Sequence, residues 1–186
     1  MLAVHRRAAE FAVDVVNACR DGELDTRWLA SRADEAPLPI RHSPRASERA
    51  DRKVCESLRS LAADLASVFG AHDLAQAAAE LNPLLADLDV QVSVSISDDW
   101  PPHLHFDAYA SAVGDRLRAN CLLAIASVLA DSAEAMRIGE CAATGCEHVY
   151  IDQSRSARQR FCSRRCATRS HVSEHRRRAA GSRERR

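Results

Sequence analysis

Apolar positions along this chain follow one period for most of its length and then switch to another. Over residues 3–20, Val4, Ala8, Phe11, Val15 and Cys19 recur at spacings of three and four, which predicts an amphipathic helix. A short second helix is predicted from Leu24 to Ala33, carrying Trp28 and Leu29. The stretch EAPLPIRHSPR (35–45) holds three prolines and little periodicity, so it reads as a loop. Val54, Leu58, Leu61, Leu65 and Val68 then predict a third helix ended by Gly70, and Leu74, Leu81, Leu85 and Leu88 mark a fourth.

At residue 90 the period becomes two. VQVSVSIS (90–97) puts Val90, Val92, Val94 and Ile96 on one face, and HLHFD (103–107) alternates after a turn-like DDWPP. Two such strands around a short Pro-containing turn predict a β-hairpin. The longest helix is expected at 108–136, with Tyr109, Val113, Leu117, Cys121, Ile125 and Val128 facing inward. Residues 1–136 therefore read as a mainly helical domain with one hairpin.

Composition changes this picture in one respect. The 186 residues are 46% hydrophobic, 28% charged and 4% aromatic, which suits a globular chain with an aliphatic core. The net charge of zero conceals a split. From Arg137 onward there are 13 arginines, no lysine and 5 acids, a charge of +8, so the first 136 residues carry −8. Such asymmetry points to a polyanionic partner for the basic end, or to docking of one half on the other. The bias of 25 arginines to a single Lys53 fits a GC-rich genome. No apolar run approaches the ~20 residues of a membrane span. The start MLAVHRRAAEF lacks the uninterrupted apolar stretch of a secretory signal, so a cytoplasmic location without membrane attachment is expected. In that compartment clustered cysteines favour a metal over disulfides.

Four of the seven cysteines lie within 26 residues, as C-x4-C-x15-C-x3-C: Cys141, Cys146, Cys162 and Cys166. Each pair brings two thiolates together, the first across a turn containing Gly145 and the second at a helix start. Two such pairs close a tetrahedral zinc site, and four protein ligands leave no open coordination position, so one structural zinc is expected. A module this small cannot fold on apolar burial alone, which makes the metal part of its folding. A rival set would use His171 and His175 with the first cysteine pair. The 24 residues between Cys146 and His171 are double the usual ~12, and Cys162 and Cys166 would be left unused.

From Cys141 to Arg178 the sequence resembles the CGNR zinc finger. The resemblance rests on the cysteine pairs with Tyr150, Asp152, Ser154, Arg155, Arg160, Phe161 and Arg169. Cys166-Ala167-Thr168-Arg169 stands where the family pattern reads Cys-Gly-Asn-Arg, and the second pair is x3 where many members have x4. The family usually carries an upstream helical domain called ABATE. Val13-Asp14-Val15-Val16-Asn17 and Leu81-Asn82 are similar to its recurring segments. The resemblance implies a stress-induced transcriptional regulator that binds DNA. The expected architecture is a helical ABATE-like domain (1–136), a zinc-bound ββα, treble-clef-like module (137–179) and a disordered basic tail (180–186).

Helical projection from Cys166 at ~100° per residue puts Arg164, Thr168, His171, His175 and Arg178 on the face away from the metal, flanked by Arg165, Arg169 and Arg176. These eight residues are the candidate nucleic-acid contacts. Four thiolates and Zn²⁺ add −2, leaving the basic end at about +6, still cationic enough to release counterions from DNA. A protein-interaction module with a structural zinc is the alternative reading, since charge alone carries no sequence specificity.

Elsewhere, His103, His105 and Asp107 alternate on one strand, which suggests a second metal site or an effector pocket, or else the wet face of the hairpin, with Leu104 and Phe106 toward the core. Cys19, Cys55 and Cys121 read as ordinary core thiols, and Trp28 and Trp100 as packing residues. No glycine-rich phosphate loop, G-x-S-x-G or H-E-x-x-H occurs, so no enzyme activity is expected. The helical domain is expected to sense a signal or to pair subunits.

Overall fold

The computed structural model describes residues 3–32, 48–97, 100–107, 112–132 and 136–183. The elements run α1 (Ala3–Arg20), α2 (Thr26–Arg32), α3 (Glu48–Phe69), α4 (Leu74–Ala86), β1 (Gln91–Ser97), β2 (Trp100–Asp107), α5 (Val113–Ala130), β3 (Ile138–Glu140), β4 (Val149–Ile151) and α6 (Arg164–Arg183). Among the described residues the protein is mainly α, with two small antiparallel hairpins, β1–β2 and β3–β4. No described helix is long and apolar enough to cross a membrane.

Three helices make the centre. α1, α3 and α5 pack pairwise, α4 lies against α3 and α5, and α2 lies on α3. Their periodic residues fill the core. Phe11, Val15, Leu58, Leu61, Leu65, Val68, Leu117, Leu122 and Ile125 are all buried. Gly114 lets α5 approach α3 closely, because a Cβ there would fall 2.5 Å from the Ser57 hydroxyl. Local chemistry sets the helix starts. The Asp25 carboxylate accepts the Trp28 amide at 2.8 Å before α2, and Asp73 accepts the Gln76 amide at 2.8 Å before α4.

Two expectations change, and the structure adds a fact about β1. The helix foreseen at 108–136 is α5, 18 residues from Val113, while α3 has 22. Its C-terminal end comes where the Ser132 amide and hydroxyl turn back onto Leu129 and Val128 carbonyls. Residues 108–111, with Tyr109, lie outside the described residues. Trp100-Pro101-Pro102 belongs to strand β2 and not to a turn. A two-stranded sheet leaves one edge of each strand unpaired, so prolines without an N–H are tolerated there. Finally, the apolar face of β1 is open. Val92, Val94 and Ile96 are 56%, 65% and 79% exposed. In the backbone register His103, His105 and Asp107 pair with Ser95, Ser93 and Gln91; the side chains of residues 103–107 and of Trp100 lie outside the described set.

β3–β4 behaves differently. Its strands are three residues each, yet Ile138 and Val149 belong to the main core, which continues across residue 137. α6 runs to Arg183, so the helix takes in the first four residues of the stretch expected to be tail; residues 184–186 lie outside the described set.

Candidate metal centre and the basic groove beside it

The first cysteine pair sits on the turn that joins β3 to β4. Cys141 follows β3, and its amide donates to the His148 carbonyl at 2.8 Å, extending the ladder. The chain then reverses through Ala143 to Cys146, whose amide donates to the Ala143 carbonyl at 3.0 Å. Gly145 supplies the left-handed φ of +70° that this reversal needs. The second pair flanks the start of α6. The Ser163 hydroxyl accepts the Cys166 amide at 3.3 Å, the N-cap arrangement that begins the helix between the two cysteines.

The four Sγ atoms lie within 4.8 Å of one another. Cys146–Cys162 and Cys162–Cys166 are each 3.7 Å apart. A tetrahedron with Zn–S bonds of about 2.3 Å has edges of about 3.8 Å, which the two shorter separations match and toward which the whole set converges. The Cys162 amide approaches the Cys141 sulfur at 3.4 Å, a contact that supports a thiolate ligand. With no metal bound, burial lifts Cys146 and Cys162 above the ordinary thiol value, Cys162 to about 12. The Ser163 hydroxyl leads the effects that lower Cys166 to about 7. Metal binding must therefore displace protons from some of the four.

Residues 137–179 match the CGNR zinc finger family. No curated protein sequence matches the chain. The CGNR finger, with its four convergent sulfurs, binds one structural zinc. The rival ligand set fails on geometry, because His171 lies against Phe161, ring centroids 5.9 Å apart, and belongs to no ligand cluster among the described residues.

The finger is fastened to α1 along one side. The Asn17 side chain takes the place of a neighbouring strand: its amide donates to the Val149 carbonyl at 3.1 Å and its oxygen accepts the Val149 amide at 2.8 Å. Arg20 reaches the Glu147 carbonyl and the Glu140 carboxylate, the latter at 2.8 Å. The His148 ring meets the Asp21 carboxylate at 2.9 Å. These contacts land on β3, β4 and the turn between them.

The loop after β4 and helix α6 carry the arginines; at the start of that loop Gln153 also reaches α1, donating to the Glu10 carboxylate at 2.6 Å and accepting from Arg6. Residues 152–160 form a polar loop held by its first residue. The Asp152 carboxylate, 3% exposed, accepts the amides of Ser154 and Gln159, both at 2.7 Å. Burial alone would raise its pKa, but those hydrogen bonds, helped by Arg137, outweigh it and hold Asp152 below the usual carboxylate value. Arg137 donates to the Asp152 and Ser154 carbonyls, Tyr150 to the Gln159 carbonyl, and the Ala142 amide to the Arg160 carbonyl. Within this frame Ala157 sits at φ +49°, a strained conformation for alanine that persists because its surroundings over-determine it.

All eight candidate nucleic-acid contacts are exposed: Arg164, Arg165, Thr168, Arg169, His171, His175, Arg176 and Arg178. They are not equivalent. Arg169 turns back to the zinc knuckle, with its guanidinium 3.3 Å from the Thr144 carbonyl and 3.9 Å from the Cys166 sulfur. Arg178 pairs with Glu174. Between α6 and the loop lies a groove of about 830 Å³, lined by Arg158, Arg160, Phe161, Arg164, His171 and Arg177 among others. Arg158 and Arg177 were absent from the projected face. No helical period could reveal Arg158, which stands on a loop, and Arg177 lies on the side of α6 nearer the metal.

Proposed function

We propose that the protein is a cytoplasmic, non-enzymatic transcriptional regulator that binds DNA through its zinc finger. The observation carrying this reading is the two-sidedness of the finger. Its strand side docks on α1, while the residues of α6 projected as DNA contacts remain exposed. An α-helix with side chains is about 10–12 Å across, matching the ~12 Å major groove, and arginine is the common reader of guanine edges. The helical part, residues 1–136, is an ABATE-like domain in this reading. It senses a signal or pairs subunits, and Asn17, within the segment that resembles ABATE, fastens it to the finger.

Fluorescence anisotropy of a labelled random-sequence duplex, titrated with zinc-loaded protein between about 50 and about 200 mM salt, tests the proposal. Affinity is expected to fall steeply as salt rises, as phosphate contacts by arginine require. Absence of binding at the lowest salt would leave the finger as a protein-docking module with a structural zinc.

A further inference from the structure

Resting on the DNA-binding reading above, we infer that one phosphodiester backbone of the duplex runs through the groove between loop 152–160 and α6. In this arrangement Arg158 and Arg160 clamp it from the loop, and Arg164 and Arg177 from the helix.

The groove walls are built for a polyanion. Four arginines face one acid, Glu174, which is engaged with Arg178. Among the described residues no carboxylate pairs with Arg158, Arg164 or Arg177. Arg160 stacks over the Phe161 ring, its guanidinium carbon 5.9 Å from the centroid, an arrangement that fixes its direction. Ser163 and Arg164 stand at the N-terminal end of α6, where the helix dipole adds positive potential.

The loop wall is also rigid at a site where rigidity serves no apolar burial. From Gln153 to Arg160 the loop contains one apolar residue, Ala157, yet Asp152, Arg137, Tyr150 and Ala142 hydrogen-bond its backbone. Such fastening removes the backbone part of the ordering cost of presenting Arg158 and Arg160. A helix laid in the major groove has a sugar-phosphate backbone along its flank, and on the flank carrying Ala167, Ser170 and Glu174 that space is this groove. Base edges would then fall to residues nearer the tip of α6's outward face, such as Thr168 and His175.

The test uses zinc-loaded full-length protein and the same random-sequence duplex. Arg158→Ala with Arg160→Ala should weaken binding about tenfold at ~100 mM salt and reduce the salt slope by about two, since each phosphate contact contributes about 0.9. Arg27→Ala with Arg116→Ala removes the same charge from exposed positions of the helical part, away from the finger, and should cost markedly less. Equal losses from the two pairs would reduce the effect to bulk charge and overturn the inference while leaving DNA binding intact. Absence of binding by the unmutated protein would overturn the functional reading itself. Asp152→Asn sharpens the distinction, because it adds one positive charge: bulk electrostatics expects tighter binding, whereas a loosened wall expects weaker binding with one zinc still bound. Tighter binding by that variant would also count against the groove.

Discussion

The two antiparallel hairpins among the described residues invert each other. β1–β2 has long strands, with apolar and polar residues alternating along β1 and over residues 103–107, and it leaves Val92, Val94 and Ile96 in solvent. β3–β4 has strands of three residues, and it buries Ile138 and Val149 in the main core. Length and alternation make a strand, but what lies across its face decides whether it is fastened. β3–β4 is held three times over: by zinc at its turn, by Asn17 along its edge and by α1 across its face.

Removing the metal should break the comparison most severely. Cys162→Ser, or a strong chelator, is expected to unfold β3, β4 and the start of α6, with a loss on the order of 10 kcal/mol of metal-linked folding energy. Circular dichroism should lose the contribution of α6 while that of α1, α3 and α5 remains. A module that keeps its near-native spectrum without zinc would show that α1 alone can hold it. Native mass spectrometry should find one zinc in the unmutated chain and none in the variant.

Acid should achieve the same end gradually. Zinc competes with protons for Cys146 and Cys162, whose thiols stand above the ordinary value, Cys162 at about 12. Below those values, falling pH favours the protonated, metal-free site, so affinity should drop by at least about tenfold per pH unit near neutrality. Competition with a chromophoric chelator at about pH 6, 7 and 8 measures the slope. A flat profile would mean that the site is already ionised before zinc arrives.

The next fastening is Asn17. Asn17→Ala leaves the amide and carbonyl of Val149, a fully buried residue, without their partners, and should cost about 2–3 kcal/mol in a denaturant titration. Zinc stoichiometry should stay at one, because no ligand is touched. A loss below ~0.5 kcal/mol would show that the core contact of Ile138 and Val149, rather than the hydrogen bonds, carries the docking.

These differences explain how far the sequence could be read. Helices α1, α3 and α4 were legible because their buried residues keep a helical period, and the zinc site because four cysteines fall in pairs within 26 residues. The role of Asn17 was not legible. Its partner is 132 residues away, and a polar side chain on an otherwise apolar stretch gives no local sign of pairing with a strand. Arg158 was hidden for a related reason: its place in the groove depends on Asp152 and on tertiary hydrogen bonds, which have no period. For β1 the alternation was visible, but the pattern reports which residues share a face and says nothing of what covers it.

The smallest expected effect tests that last point. Ile96 is 79% exposed and the Val94 beside it on the same face 65% exposed, so an isoleucine-to-serine change there removes little burial. At about 25 cal/mol per Å² of apolar surface, only area withdrawn from water on folding contributes, and most of this side chain was never withdrawn. Ile96→Ser should therefore change the denaturation midpoint by an amount within ~0.5 kcal/mol, while Val149→Ser, the corresponding change in the fastened hairpin, should cost several times more. If Ile96→Ser proves as damaging as Val149→Ser, the face of β1 is covered when the protein is in solution, and the contrast between the two hairpins would belong to the isolated chain alone.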